Sequence, residues 1–168
     1  MTTQTEPAMI ELNYRRTIAR ALADELDADP TVVLLGEDIA QAGGAFKSTD
    51  GLWSRFGDRV RDTPISEQAI VGTAVGAALM GLRPVAEVMF ADFAAVCFDQ
   101  IVNTLAKYRY TSGGQASVPV TIRLSNGAGA GFGPQHSQAV ENWFLNVPGL
   151  KIAVPGTVED LYGLLRSA

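Results

Sequence analysis

Glu67 is the acidic residue of this sequence whose surroundings best suit proton transfer. It lies in the segment TPISEQAIV, where apolar residues on both sides provide little solvation for a carboxyl group. A carboxyl group in such surroundings can keep its proton near neutral pH and act as an acid. The alternative is a carboxylate in the first turn of a helix, stabilised by backbone N–H groups that have no other partner. Position alone favours the alternative, and the apolar neighbours favour proton transfer.

Two further residues could contact a ligand. His136 is the only histidine and ends a loop that has four glycines between Asn126 and Gly133. Such a histidine can be incidental, but glycine-rich loops before a helix commonly carry function. Phe93 lies next to Asp92 in the segment FADF, where an aromatic residue is usually part of the core but can also stack on a flat ligand.

The elements that must position these residues alternate between helix and strand. Apolar periodicity and capping residues predict helices over 14–27, 66–80 and 92–110, another beginning near Ser137, and a last one capped by Thr157. The predicted strands are TVVLLGED, residues 59–62, residues 84–90, VPVTIRLS and KIAVP. This alternation predicts a doubly wound α/β fold: a mainly parallel sheet with helices on both faces. We expect a flexible tail over 1–12 and one domain over 13–168.

Ligands of such sheets bind beyond the carboxyl ends of the strands. The residues that directly follow the predicted strands are Glu37 and Asp38, 63–67, 90–93 and 126–136. Glu67, Phe93 and His136 all belong to this group. We therefore expect the three side chains at one edge of the sheet.

Composition excludes several functional classes. The chain has 168 residues with 47% hydrophobic residues, enough for a core, and its formal charge of -5 argues against nucleic acid binding. No membrane span or export signal is visible, and the single cysteine, Cys97, lies in an apolar run, so we expect a buried thiol and a cytoplasmic protein. Dinucleotide, P-loop, zinc and serine-hydrolase motifs are absent.

Four segments carry the most specific pattern of the chain: RVRDTPISEQAIVGTAVGAALMGLRPVAEVMFADF, FDQIVNTLAKYRYTSGG, VPVTIR and GPQHSQ. In order and spacing they resemble the β subunit of the decarboxylating component of 2-oxo acid dehydrogenase complexes. This family includes pyruvate, branched-chain 2-oxo acid and acetoin dehydrogenases. The resemblance extends from about Met9 to the end of the chain, and it identifies the transketolase-like, pyrimidine-binding domain.

The resemblance implies a cofactor, thiamine diphosphate, whose aminopyrimidine this domain would bind while an α subunit holds the diphosphate and its Mg²⁺. Carried over, Glu67 would hydrogen-bond a pyrimidine ring nitrogen and favour the tautomer that removes the proton from the thiazolium carbon. Phe93 would pack against the pyrimidine. His136 would orient the substrate and assist acyl transfer to the lipoyl arm of an acyltransferase. The carbonyls of Val120 and Thr121 would belong to a monovalent cation site, usually K⁺.

The sequence departs from the family in length, because family β subunits carry a second, C-terminal domain that has no counterpart here. A fragment or one piece of a split enzyme is expected, with a C-terminal β-like chain as partner beside the α subunit, and the isolated chain is expected to be inactive. Two alternatives stay open: a non-catalytic, truncated assembly module, and another thiamine enzyme of the transketolase type. The segment GPQHSQ argues against the second alternative.

Overall fold

A four-stranded parallel sheet forms the centre of the fold, in the strand order β2-β1-β3-β4. The structure is a computed structural model that describes residues 13–129 and 131–168, so the predicted tail, residues 1–12, lies outside the described residues. The strands are β1 (Val32–Gly36), β2 (Val60–Asp62), β3 (Arg83–Val88) and β4 (Thr121–Leu124). The doubly wound α/β prediction is confirmed, because parallel neighbours require crossover connections.

Helices cover both faces of this sheet. The α-helices are α1 (Tyr14–Ala28), α2 (Leu52–Phe56), α3 (Glu67–Leu79), α4 (Tyr108–Thr111) and α5 (Val158–Ser167). On one face, Leu34 of β1 lies in a buried cluster with Leu26 of α1, against which Leu165 of α5 packs. On the other face, Leu35 of β1 packs with Ile70 of α3. Successive strand residues point to opposite faces, which explains why the two neighbouring leucines serve different cores.

The predicted helix starts are confirmed at three places. Asn13 accepts a hydrogen bond from the backbone N–H of Arg16 at the start of α1, and Ser66 accepts one from Ala69 at the start of α3. Thr157 likewise caps α5. Such side chains satisfy N–H groups that have no partner within the first helical turn. Within the described residues, no helix has the length and apolar character needed to cross a membrane.

The helix predicted over 92–110 is not one regular α-helix. It consists of a 3₁₀ segment (Ala91–Ala95), a π-helix (Gln100–Leu105) and the short α4. The π-helix contains three β-branched residues, in the segment QIVNTL, and such residues favour a regular α-helix less than unbranched ones do. The prediction was right about the helical path and wrong about its regularity.

Two predictions beyond β4 are wrong. Instead of a helix beginning near Ser137, the structure has 3₁₀ turns at Pro134–His136 and Glu141–Phe144. Hydrogen bonds from distant side chains fix this segment in a non-helical path, because Asp92 accepts from the backbone N–H of Gln138 and Asn126 accepts from that of Val140. The segment KIAVP is not a strand of the described sheet, which ends at β4.

Candidate active site

Glu67 is the first residue of α3 and lies at the carboxyl edge of the sheet, as predicted. The backbone N–H of Thr63, which follows β2, donates to the carbonyl of Gly36 at the end of β1 at 2.9 Å, so the ends of these strands meet. The chain then turns through Pro64 and enters α3 at Glu67, which is 7% exposed. Glu67 is therefore both a carboxyl group in the first turn and a buried acid, and the two readings of the sequence are compatible.

A second acid, Glu37, accompanies Glu67 at this edge. It follows β1 directly, is 8% exposed, and its Oε1 is buried without a hydrogen-bond partner among the described residues. Burial raises the pKa of Glu37, and the negative charges of Glu67, Asp38 and Glu87 raise it further. Sequence reasoning placed Glu37 at the sheet edge but gave it no role. The available signal was an acid directly after a strand that is apolar at every position before its final glycine.

Two other buried oxygens, on segments adjacent to α3, also have no partner among the described residues. They are Oγ1 of Thr63, just before α3, and Oε1 of Gln100, in the π-helix that packs against α3. Cys97 lies one turn before Gln100, and burial together with the charge of Glu67 raises the pKa of this thiol to about 11. Buried polar atoms normally have hydrogen-bond partners, so the unpartnered oxygens of Glu37 and Thr63 fit a polar ligand or partner group at this edge.

Phe93 and His136 lie in one aromatic cluster. Their ring centroids are 5.1 Å apart, with the ring planes nearly perpendicular. Phe90 lies against both, at 4.7 Å from the imidazole and 5.6 Å from the ring of Phe93. Phe46 and Phe132 complete the cluster at 5.3 Å and 5.7 Å from Phe90. We name these five residues the aromatic cluster; the sequence predicted Phe93 and His136 but missed Phe46 and Phe132.

Asp92 holds the segment that follows His136. Its Oδ1 accepts hydrogen bonds from the side-chain amide of Gln138 at 2.7 Å and from the backbone N–H of the same residue at 3.3 Å. Burial alone would raise the pKa of Asp92, but these bonds, together with N–H groups of Ser137 and of Asp92 itself, lower it. A carboxylate with several donors holds its partners firmly, so Asp92 positions the loop that carries the imidazole.

The aromatic cluster adjoins the core beneath α3, the helix that begins with Glu67. Val71, one turn after Glu67 on α3, lies in the buried cluster against which Phe93 packs, and Cys97 belongs to the same cluster. The site thus combines two buried acids, a half-buried aromatic ring and an imidazole. These groups can donate a proton to a ring nitrogen, pack against a flat ring and exchange a proton with a bound substrate.

The cation prediction concerns Val120 and Thr121, at the start of β4. Thr121 pairs with Val85 of β3, and Val120 packs against the core beside α3. In the described part of the chain, no three His, Cys, Asp or Glu residues form a group that could hold a metal ion. A site built from backbone carbonyls is not tested by this finding and stays a prediction.

Residues 10–168 match the family model of the transketolase pyrimidine-binding domain. The chain belongs to this family. The pyruvate dehydrogenase E1 component subunit beta of Bos taurus is 46% identical over 166 residues, which cover 98% of this chain and 46% of that protein. The acetoin:2,6-dichlorophenolindophenol oxidoreductase subunit beta of Cupriavidus necator is also 46% identical, covering 94% of this chain and 50% of that protein. This domain therefore spans about half the length of these relatives.

A solved structure supports the fold of this pyrimidine-binding domain. It is described as a split gene transketolase, inactive beta4 tetramer, and it matches with a TM-score of 0.71 and 25% identity. The match covers 92% of this chain and 46% of the other. The predicted resemblance to β subunits of 2-oxo acid and acetoin dehydrogenases is thus confirmed at the level of the domain.

Proposed function

We propose that this chain forms the pyrimidine-binding part of a thiamine diphosphate-dependent dehydrogenase that acts on a 2-oxo acid or on acetoin together with an α subunit. One observation carries the proposal: in a pyrimidine-binding domain, a buried carboxyl group, that of Glu67, opens a helix at the carboxyl edge of the parallel sheet. Relatives of both substrate types are equally similar, so the proposal does not choose between them.

The residues present fit the aminopyrimidine of the cofactor. When bound, thiamine diphosphate supplies the carbon nucleophile and the electron sink that the reaction requires. Glu67 would hold a proton on the pyrimidine ring nitrogen, and its burial strengthens that hydrogen bond because little water competes. Phe93 would pack against the flat ring. His136, the only histidine of the chain, would orient the substrate and exchange a proton with it.

Further parts of the proposal concern partners. An α subunit would hold the diphosphate and Mg²⁺, and the acyl group would pass to a lipoyl-bearing acyltransferase. The carbonyls of Val120 and Thr121 would contribute to a K⁺ site. Because these functions need other chains, we expect the isolated chain to be inactive. A cytoplasmic location also stays a prediction.

The test is the exchange of the thiazolium carbon proton in the assembly with an α subunit. Glu67→Gln keeps the size of the side chain but cannot act as an acid, so the exchange rate should fall by about 10²- to 10⁴-fold. Glu159→Gln makes the same chemical change at an exposed position of α5 and should leave the rate unchanged. The exchange is followed by NMR in deuterated buffer. A wild-type rate in Glu67→Gln would refute the proposed role.

A second candidate function is a non-catalytic assembly module. The solved structure of the split gene transketolase, described as an inactive tetramer, favours this candidate. The module should associate with itself or with partners but should show no cofactor-dependent turnover in any pairing. Activity with an α subunit, measured over a panel of 2-oxo acids and acetoin, would exclude it. A transketolase-type reaction would instead require activity on sugar phosphates, which are added to this panel.

A further inference from the structure

A buried ion pair lies under the loop that carries Phe46. Glu87 of β3 and Arg123 of β4 are register partners in adjacent strands, and Arg123 donates to the carboxylate of Glu87. The side chains are only 7% and 11% exposed. Arg123 also donates to Oγ of Ser48 at 2.7 Å, although 75 residues separate the two in sequence. The sheet is therefore bonded directly to loop 43–49.

Loop 43–49 is closely packed rather than an open excursion. Gly43 has a positive φ of 74°, and a Cβ atom there would lie 2.9 Å from the Cα of Asp50, so only glycine fits. Ser48 and Thr49 are each 1% exposed, and Thr49 donates to the carbonyl of Ile39 at 2.8 Å. Polar bonds thus fix the buried side of this loop. Arg123 makes the bond that reaches it from β4.

The position of this loop determines the position of Phe46 in the aromatic cluster. Phe46 packs edge-on against Phe90 at 5.3 Å, and Phe90 packs edge-on against the imidazole of His136 at 4.7 Å. A continuous chain of contacts therefore runs from Arg123 through Ser48 and Phe46 to Phe90 and His136. Neither the ion pair nor Ser48 belongs to the proposed reaction itself.

We propose that Arg123, paired with Glu87 and bonded to Ser48, is a positioning residue that holds Phe46 against Phe90 and thereby holds the imidazole of His136. A guanidinium group suits this task because its several N–H donors can bond a carboxylate and a hydroxyl at once. The pair acts through the aromatic rings and does not touch the reacting atoms. Its consequence for turnover rests on the proposed function, whereas its effect on the imidazole does not.

The test uses the single histidine as a probe in the full chain. The imidazole protons of His136 feel the ring currents of Phe90 and Phe93, and no other histidine overlaps their NMR signals. Phe90→Ala removes the ring that lies against the imidazole, so it gives the change in chemical shift of the His136 signals when this contact is lost. Ser48→Ala removes only the bond between the loop and the guanidinium, so the signals should move in the same direction by a smaller amount. Ser54→Ala is the control: it removes an exposed hydrogen bond from a serine near Ser48 in sequence, and it should leave the His136 signals unchanged.

A second variant covers the case in which Ser48→Ala does not fold. Truncating only one partner of a buried ion pair leaves an unpaired charge, so Glu87→Gln and Arg123→Met are made together. This double variant also removes the donor to Ser48 and should move the His136 signals as Ser48→Ala does. The proposal is overturned if Phe90→Ala moves these signals but neither Ser48→Ala nor the double variant does. It is also overturned if Phe90→Ala leaves the signals unmoved.

The assembly with an α subunit separates this inference from the proposed function. Ser48→Ala should keep the exchange rate of the thiazolium proton, which depends on Glu67, and should lower turnover, which depends on His136. Equal losses in both would contradict a role that acts through His136. If wild type shows no cofactor-dependent exchange while the NMR shifts follow the expected order, the proposed function fails and the positioning role stands.

Discussion

Glu37→Gln should stabilise the isolated domain at neutral pH. The carboxyl group is 8% exposed, one oxygen has no hydrogen-bond partner among the described residues, and Glu67 lies close enough to repel it. An unpaired buried group costs about 1–3 kcal/mol, and more when it is charged. The amide removes the charge but keeps a buried polar atom, so we expect a gain of about 1–2 kcal/mol. For a chain of this size the gain corresponds to about 2–8 °C in Tm.

The pH dependence of this gain is the sharper part of the prediction. Folding raises the pKa of Glu37, so the folded state binds this proton more tightly than the unfolded state does. The contribution of Glu37 to wild-type stability is therefore fully present below about pH 4, where its carboxyl group is protonated in both states. That contribution is lost as the pH rises through the folded-state pKa of Glu37. The stabilising effect of Glu37→Gln should consequently be small at pH 4 and should reach its full size above the folded-state pKa.

Thermal unfolding followed by circular dichroism at pH 4 and pH 7.5 measures both effects. Glu159→Gln, at an exposed position in the first turn of α5, is the matched control and should change the stability by about 0.5 kcal/mol or less, in the destabilising direction. A Glu37→Gln variant that is no more stable than wild type at pH 7.5 would refute the reasoning. So would a gain of equal size at both pH values.

Two further predictions concern packing and the loop after His136. Ile70→Ala should cost about 2–5 kcal/mol in urea unfolding because Ile70 is buried between α3 and the sheet, while Ile65→Ala, at a residue that is 83% exposed, should cost about 0.5 kcal/mol or less. Folding lowers the pKa of Asp92, so wild type should lose stability as the pH falls below about 4, and Asp92→Asn should lose less over that range. An equally steep loss of stability below about pH 4 in wild type and Asp92→Asn would count against the Asp92–Gln138 contact.

Local signals in the sequence were sufficient for the first half of the fold. Asn13 and Ser66 are capping residues at the places where α1 and α3 begin, and the strand VVLLG has the apolar character of a strand with helices on both sides. These features depend on neighbouring residues along the chain, so a single sequence contains them. The parallel pairing of the strands also follows from the helices that join them, whereas the strand order β2-β1-β3-β4 was not predicted.

The candidate site was predictable where it depends on strand ends and not where it depends on distant contacts. Glu67 follows β2 closely, and its placement at the carboxyl edge required only the strand assignment. The bond from Arg123 to Ser48 joins residues 75 positions apart, and no local pattern indicates it. Phe46 and Phe132 were missed for the same reason, since only the folded loops bring their rings to Phe90.

Two of the structural predictions that failed, the regular helix over 92–110 and the helix near Ser137, lie next to the candidate site, and this has a physical cause. The 3₁₀ segment Ala91–Ala95 carries Asp92 and Phe93, and the irregular chain after His136 replaces a predicted helix. Asp92 is the connection between them, because its carboxylate accepts from the backbone N–H and from the side-chain amide of Gln138. These two contacts hold the chain after His136 in its irregular path. Tertiary hydrogen bonds thus override local propensity here, and such departures from local rules are most frequent at functional sites.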